Sequence, residues 1–236
     1  MGIFTGVADA ADLVWRRDCP GCGRTEADRA ARGTGVCRAC AVELRSPPAP
    51  VDGTDAPRVW AAGPYGGVHR AVVLAAKDHH RPDAVAVLGE VVAGVVRHLV
   101  VVGELPDPRL VPVVLLAAPT RPSAARARGG CVVARAADVA ACSLGGYAVA
   151  AAVASLAEGT PDSVGLSRAA RAANLSRALV VDRGELGRVR RALRTPGAVA
   201  CVVDDVCTTG ATTGGFAAAL SARGVVPTTG VVVAGA

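Results

Sequence analysis

Apolar residues along this 236-residue chain fall into two kinds of run. Short, continuous, β-branched runs at 58–65, 111–118, 178–181, 199–203 and 225–233 read as buried strands. Between them the apolar positions recur at helical spacing. Val68, Val72 and Ala76 share one face of a helix over 66–77, and Val132, Ala136 and Val139 share one over 131–144. Phe216 and Leu220 lie one turn apart in a helix over 213–223, with Gly224 where a C-cap belongs. A further helix is expected over 185–194. The longest apolar run, 84–102, contains Glu90, Arg97 and His98. It reads as a buried helix running into a short Val-rich segment, not as a membrane span. The stretch 148–156 fits a strand or a short helix. The second part of 162–175 is helical, with Leu166, Ala170 and Asn174 on one stripe. Strands alternating with helices imply a parallel sheet with right-handed crossovers, an α/β fold.

The N-terminal part has a different texture. A short helix over 7–17, with Ala11, Val14 and Trp15 inward, leads to Cys19-Pro20-Gly21-Cys22. Fourteen residues later stands Cys37-Arg38-Ala39-Cys40. Two Cys-x-x-Cys knuckles at this separation supply four thiolates to one tetrahedral zinc ion. A redox dithiol would account for one knuckle alone and would not require the second. Four protein ligands leave no open coordination position, so the expected zinc is structural. The run from Ser46-Pro47-Pro48 to Pro57 lacks periodicity and reads as a linker. The expected organisation is a helix and zinc module over 1–45, a linker over 46–57 and an α/β domain over 58–236.

Composition narrows the partners. Aromatic residues are 3% of the chain, so the core has to be built from Val, Ala and Leu. The formal charge is +6. Residues 1–100 carry 12 basic and 11 acidic groups, and residues 101–236 carry 14 and 9, so the excess lies in the second half. That suits a polyanionic ligand or nucleic acid, although scarce aromatics argue against stacking of single-stranded bases. Lys77 is the sole lysine among 26 basic residues, and Asn174 is the sole asparagine. Both stand out against a bias toward Ala, Arg, Gly and Val. The first 15 residues are mixed in character and do not read as a signal peptide. A cytoplasmic, reducing location is expected, and the eight cysteines do not read as a disulfide framework.

The chemistry concentrates where the strand at 199–203 stops. Asp204 and Asp205 follow it, then Val206-Cys207-Thr208-Thr209-Gly210-Ala211-Thr212 and a helix. Backbone N–H groups at a helix start bind phosphate, and the helix dipole adds to this. Thr208, Thr209 and Thr212 can add hydroxyl donors, and Gly210 allows close backbone approach. Two carboxylates at the C-terminal end of a strand can accept from two sugar hydroxyls or face Mg²⁺, at the end where open α/β sheets bind ligands. A phosphate site beside a diol or Mg²⁺ site describes a ribose 5-phosphate. A second basic stretch, Arg121 to Arg135 with Gly129 and Gly130, follows the 111–118 strand and Pro119. Such a loop can bind pyrophosphate and close over a reaction.

The stretch Asp204 to Thr212 resembles the motif by which type I phosphoribosyltransferases bind phosphoribosyl diphosphate (PRPP). The order of parts resembles the ComF/GntX family, described as late-competence or amidophosphoribosyltransferase-like proteins. The shared parts are the four-cysteine module, Tyr65 then Lys77, the strand ending in Pro119 and the Arg- and Gly-rich loop through Arg128. The Arg171-x-x-Asn174 pair and the acidic-pair loop complete them. The resemblance implies a type I phosphoribosyltransferase-like parallel sheet flanked by helices. In that family the acidic pair holds the ribose hydroxyls and the loop holds the 5-phosphate. Asp204, Asp205 and Lys77 are then the expected catalytic residues, with Arg128 as a further PRPP contact and Mg²⁺ as the companion ion. The chain departs from the family pattern at Gly130-Cys131-Val132, at Ser163 and at Ala117-Ala118-Pro119-Thr120. Two functions follow. One is an enzyme transferring a 5-phosphoribosyl group from PRPP to a nucleophile. The other is a non-catalytic accessory of DNA uptake, contacting single-stranded DNA or a helicase partner through its zinc ribbon and basic surface.

Overall fold

The structure is a computed structural model that describes residues 18–25, 35–54, 57–158, 174–175 and 177–236. The expected helix over 7–17, most of the insert between the cysteine pairs, and Arg171 lie outside these residues.

The elements follow in chain order. Helix α1 (Arg38–Glu43) belongs to the cysteine module. Strands β1 (Ala49–Pro50) and β2 (Arg58–Pro64) come next, then helices α2 (Gly67–Lys77) and α3 (Pro82–Val101). Strand β3 (Val113–Ala117) leads to α4 (Pro122–Ala127) and α5 (Val132–Leu144). Three short strands follow, β4 (Ala148–Ala151), β5 (Ala154–Leu156) and β6 (Leu179–Val181). The chain closes with α6 (Arg183–Ala192), β7 (Val199–Cys207), α7 (Ala211–Ser221) and β8 (Thr229–Gly235).

Six strands form one sheet in the order β1-β2-β8-β7-β3-β4. All neighbours are parallel except β1, which pairs antiparallel with β2. The fold is α/β with a mixed, mostly parallel sheet flanked by helices. Central strands read as unbroken apolar runs because both faces are covered. Alternation still sorts them. Val113, Leu115 and Ala117 of β3 and Cys201 and Val203 of β7 pack toward α2, α3 and α5. Val114 and Leu116, with Ala200 and Val202, pack toward Phe216 and Leu220 of α7 and Leu186 and Val189 of α6.

Helix α3 is long and apolar enough to cross a membrane, with a mean hydropathy of 1.9, but 61% of that span is buried within the protein. It starts with Pro82 at the first turn and Asp83 near the positive end of its dipole. Its closest neighbour is α5. A Cβ on Gly89 would stand 2.5 Å from Val139 and 2.8 Å from the Ala136 carbonyl oxygen. Only glycine permits this crossing.

Three expectations change. Part of the 46–57 linker joins the sheet as β1, Ala49 opposite Ala61 and Pro50 opposite Trp60. Pro50 has no N–H to give, which an edge strand tolerates. The 148–156 stretch forms two strands. The second, β5, leaves the main sheet and pairs antiparallel with β6. The last strand starts at Thr229 rather than 225, since Pro227 cannot extend a ladder from its N–H. The cysteine module is also continuous with the main core. Cys19, Cys37, Cys40, Ala41 and Leu44 share one apolar cluster with α2 and α3.

The close crossing of α3 and α5 separates two glycines of the same helix. Gly89→Ala should lower stability by roughly 1–3 kcal/mol through overpacking. Gly94 has nothing within 4 Å of a Cβ position. Gly94→Ala should therefore raise stability by up to about 1 kcal/mol through helix propensity. Urea unfolding of both variants checks the pair, and equal effects would show that the crossing is not tight.

Candidate functional site at the ends of β3 and β7

The topology points to one crevice. From β3 the chain moves outward to β4, then returns to β7 on the other side of β3. The strand order therefore reverses between β3 and β7. Ligands in open α/β sheets bind beyond the C-terminal ends of the strands at such a reversal. Those ends are Ala117-Ala118-Pro119 and Asp204 to Cys207, tied together by the Ala118 N–H donating to the Val203 carbonyl at 2.8 Å.

β7 places the acidic pair here. Asp205 is buried, and its Oδ2 forms an ion pair with Lys77 Nζ. Among the described residues that oxygen accepts no hydrogen bond beside this pair. Asp204 is half-buried, and its Oδ1 accepts from the Asp205 backbone N–H at 2.9 Å. Burial, followed by the neighbouring Asp205 charge, holds the Asp204 carboxyl well above the usual carboxylate range. Burial alone would lower the Lys77 ammonium, but the Asp205 and Asp204 carboxylates outweigh it and raise it. The sole lysine is thus brought from the end of α2 onto the acidic pair.

Helix α7 faces the same point. Gly210 caps it with φ 68°, in the left-handed region. The first helical bond runs from the Gly214 N–H to the Gly210 carbonyl at 2.7 Å, leaving the amides of 211–213 outside the ladder. Thr208, Thr209 and Thr212 are exposed around this turn. Cys207 and Ala211 are buried and Val206 half-buried, so these three offer backbone only. Arg128 does not reach the acidic pair. Its Nε donates to the Lys77 carbonyl at 3.1 Å, and its guanidinium stands 3.9 Å from Asp78. It holds the C-terminal end of α2. His79 and His80 are exposed, as a solvated helix end would be.

On the other side of β3 lies a cavity of about 610 Å³. Ala118, Thr120, Cys131, Ser155 and Asp182 are among its lining residues. Cys131 Sγ and Thr120 Oγ1 are 3.3 Å apart within it.

The four cysteines converge. The Sγ atoms of Cys19, Cys22, Cys37 and Cys40 all lie within 4.8 Å of one another. Tetrahedral zinc–thiolate bonds place sulfurs about 3.8 Å apart. Cys22 and Cys37, at 3.6 Å, already match that spacing. The Cys40 backbone N–H draws the Cys37 thiol down to about 7, while burial pushes the Cys40 thiol up. A bound cation offsets that cost. The cluster can hold a metal ion.

Three residues near these sites escaped the sequence. Thr54, from the proline-rich stretch, lies over the loop; a Cβ on Gly210 would come 2.8 Å from its Cγ2. Arg81 is almost fully buried although it sits in a polar cluster. Glu43 reaches out of the cysteine module to the start of α2. Nothing local marks Thr54 or Glu43, because their contacts are made across the chain.

No protein-family model matches this sequence, and no curated protein matches it.

The buried ion pair carries a stability prediction. Lys77→Met leaves Asp205 Oδ2 without its partner and should cost roughly 1–3 kcal/mol. Adding Asp205→Asn removes the stranded charge and should recover much of that loss. A double-mutant cycle by urea unfolding measures the coupling. Additive single effects would mean that the pair is not formed in solution.

Proposed function

We propose that the crevice binds a ribose 5-phosphate moiety, and that its natural ligand is PRPP with Mg²⁺. The observation that carries this reading is the meeting of three chemistries at one strand end. There are two adjacent carboxylates, a helix N-terminus ringed by threonine hydroxyls, and a lysine from a distant helix. The amides of 211–213 with Thr208, Thr209 and Thr212 suit the 5-phosphate. Asp204 and Asp205 suit the ribose hydroxyls, directly or beside the cation. Lys77, as a compact point charge, suits the pyrophosphate.

The reaction class that fits is transfer of the 5-phosphoribosyl group. The C1–O bond to pyrophosphate breaks, a nucleophile's lone pair forms the new bond to C1, and pyrophosphate leaves with its electron pair. Mg²⁺ would offset the charge of the leaving group. The 610 Å³ cavity beside β3 has room for an acceptor. For the cysteine centre we propose zinc, since four thiolates in a closed tetrahedron favour it.

Binding has a proton signature. Asp204 keeps its proton above the usual carboxylate range in the free protein. A cation or a diol donor needs the anion, so binding releases that proton. Affinity for PRPP with Mg²⁺ should rise as pH climbs through the raised pKa and fall below it. Calorimetry in buffers of different ionisation enthalpy reads the released proton directly. Asp205→Asn should weaken PRPP binding by roughly 1.5–3 kcal/mol, the range for a charge-assisted hydrogen bond. Thr209→Val should weaken ribose 5-phosphate and PRPP alike. Lys77→Arg should weaken PRPP but not ribose 5-phosphate. An identical response of wild type and Asp205→Asn to PRPP would sink the assignment.

A second reading, contact with single-stranded DNA, is favoured by helix α6. Its buried side is Leu186 and Val189, and Arg183, Arg188, Arg190 and Arg191 stand exposed. Arginine contacts to phosphate release counterions, so such binding should be weak and should fall steeply with added salt. A salt titration of oligonucleotide binding, with Arg183 and Arg191 changed to Glu, tests it. Affinity that is tight and flat from low to high salt contradicts it.

A further inference from the structure

Helix α2 carries Lys77 at one end, and both of its ends are held by residues flanking the cysteine ligands. At its start the first turn has no side-chain cap of its own, since Gly66 stands there. Glu43, one helical turn beyond Cys40, supplies the missing acceptor. Its Oε1 takes the Val68 N–H at 3.3 Å and adds a negative charge at the positive end of the helix dipole. The same turn is pressed against the metal centre. A Cβ on Gly21 would stand 2.9 Å from both Cys40 Sγ and Val68 Cγ1, so knuckle, ligand and helix are already in contact.

Beyond Lys77 the chain turns tightly. The Arg81 N–H donates to the Ala75 carbonyl at 3.0 Å, and His80 is held at φ 52°. The buried Arg81 guanidinium then grips the residue before the first cysteine ligand. It donates to Asp18 Oδ2 at 2.9 Å and to the Asp18 carbonyl at 2.6 Å. It also donates to Asp83 at 3.1 and 2.7 Å, which locks the start of α3. Asp18 adjoins Cys19, and Glu43 follows Cys40 in α1. The placement of both depends on the geometry of the four thiols.

We propose that metal at the four-cysteine centre fixes α2 through Glu43 and through Asp18 with Arg81, and so sets Lys77 over Asp205. Glu43, Asp18 and Arg81 are positioning residues. They touch neither ligand nor metal, and they act through the helix. The metal centre is then a control on the anion site and not only a fold staple. The effect on ligand rests on the PRPP reading above; the effect on the helix does not.

The test uses the full chain loaded with zinc, with metal content measured for every variant. Glu43→Ala removes the cap and should leave about one zinc per chain in place, since no thiol changes. Hydrogen exchange across 68–77 should then quicken about fivefold, the scale of a lost cap, while β7 and β8 stay as in wild type. Glu43→Gln keeps an acceptor and should return exchange toward wild type. Asp18→Asn weakens the second clamp and should quicken exchange at 77–81. Inorganic pyrophosphate should lose affinity in Glu43→Ala by a similar factor, while inorganic phosphate does not. Unchanged exchange over 68–77 in Glu43→Ala with zinc in place would overturn the proposal. So would loosening by Glu43→Gln as large as by Glu43→Ala, because glutamine keeps both the shape and the acceptor. Should wild type bind no pyrophosphate, the PRPP reading fails and the exchange result alone decides the coupling.

Discussion

The ion pair of Lys77 with Asp205 is the contact around which the site is organised. Asp205 lies near the C-terminal end of β7, a strand that is covered on both faces, so water cannot compensate its charge from below. A carboxylate in that position needs a cation or a proton. The protein meets the need with its only lysine, delivered by a helix that begins against the cysteine module and ends at the crevice. Burial and the neighbouring Asp205 charge raise the Asp204 carboxyl well above the usual carboxylate range, against the opposing pull of Lys77.

The same helix makes the two chemical centres of the chain parts of one structure. A four-thiol cluster is usually thought of as a staple for a module too small to fold alone. Here its cysteines are in the same apolar cluster as α2 and α3, Glu43 reaches the start of α2, and Asp18 holds Arg81 in the turn that follows it. The buried arginine between them uses four of its five N–H donors, on two carboxylates and a carbonyl. A buried guanidinium held by two carboxylates is a rigid joint, because losing either one leaves its charge short of a counterion.

The core explains how so few aromatic residues suffice. Alternation along β3 and β7 sends small branched side chains to two separate layers. Glycine lets α3 and α5 approach more closely than larger side chains would allow. Close backbone approach replaces bulk as the source of packing density. It leaves little tolerance at Gly89, where a single methyl group has no room.

The sequence by itself determined the order of elements, the four cysteines and the end of β7. Each is a local signal: period-2 and period-3.6 runs, paired knuckles, and two acids before a small-residue turn. It also marked Lys77, because that residue broke the compositional bias. What the tertiary structure decided was who meets whom. Arg128, expected from the family resemblance to contact a ligand, also donates its Nε to the Lys77 carbonyl. Arg81 closes the polar run Lys77-Asp78-His79-His80-Arg81, yet it is buried against Asp18. The proline-rich stretch reads as a linker, yet it supplies an edge strand and sets Thr54 over Gly210. In each case the local pattern fixes polarity and shape. The partner lies between 10 residues away, as for Pro50 and Trp60, and 156, as for Thr54 and Gly210, and only the path of the backbone through space brings it within reach.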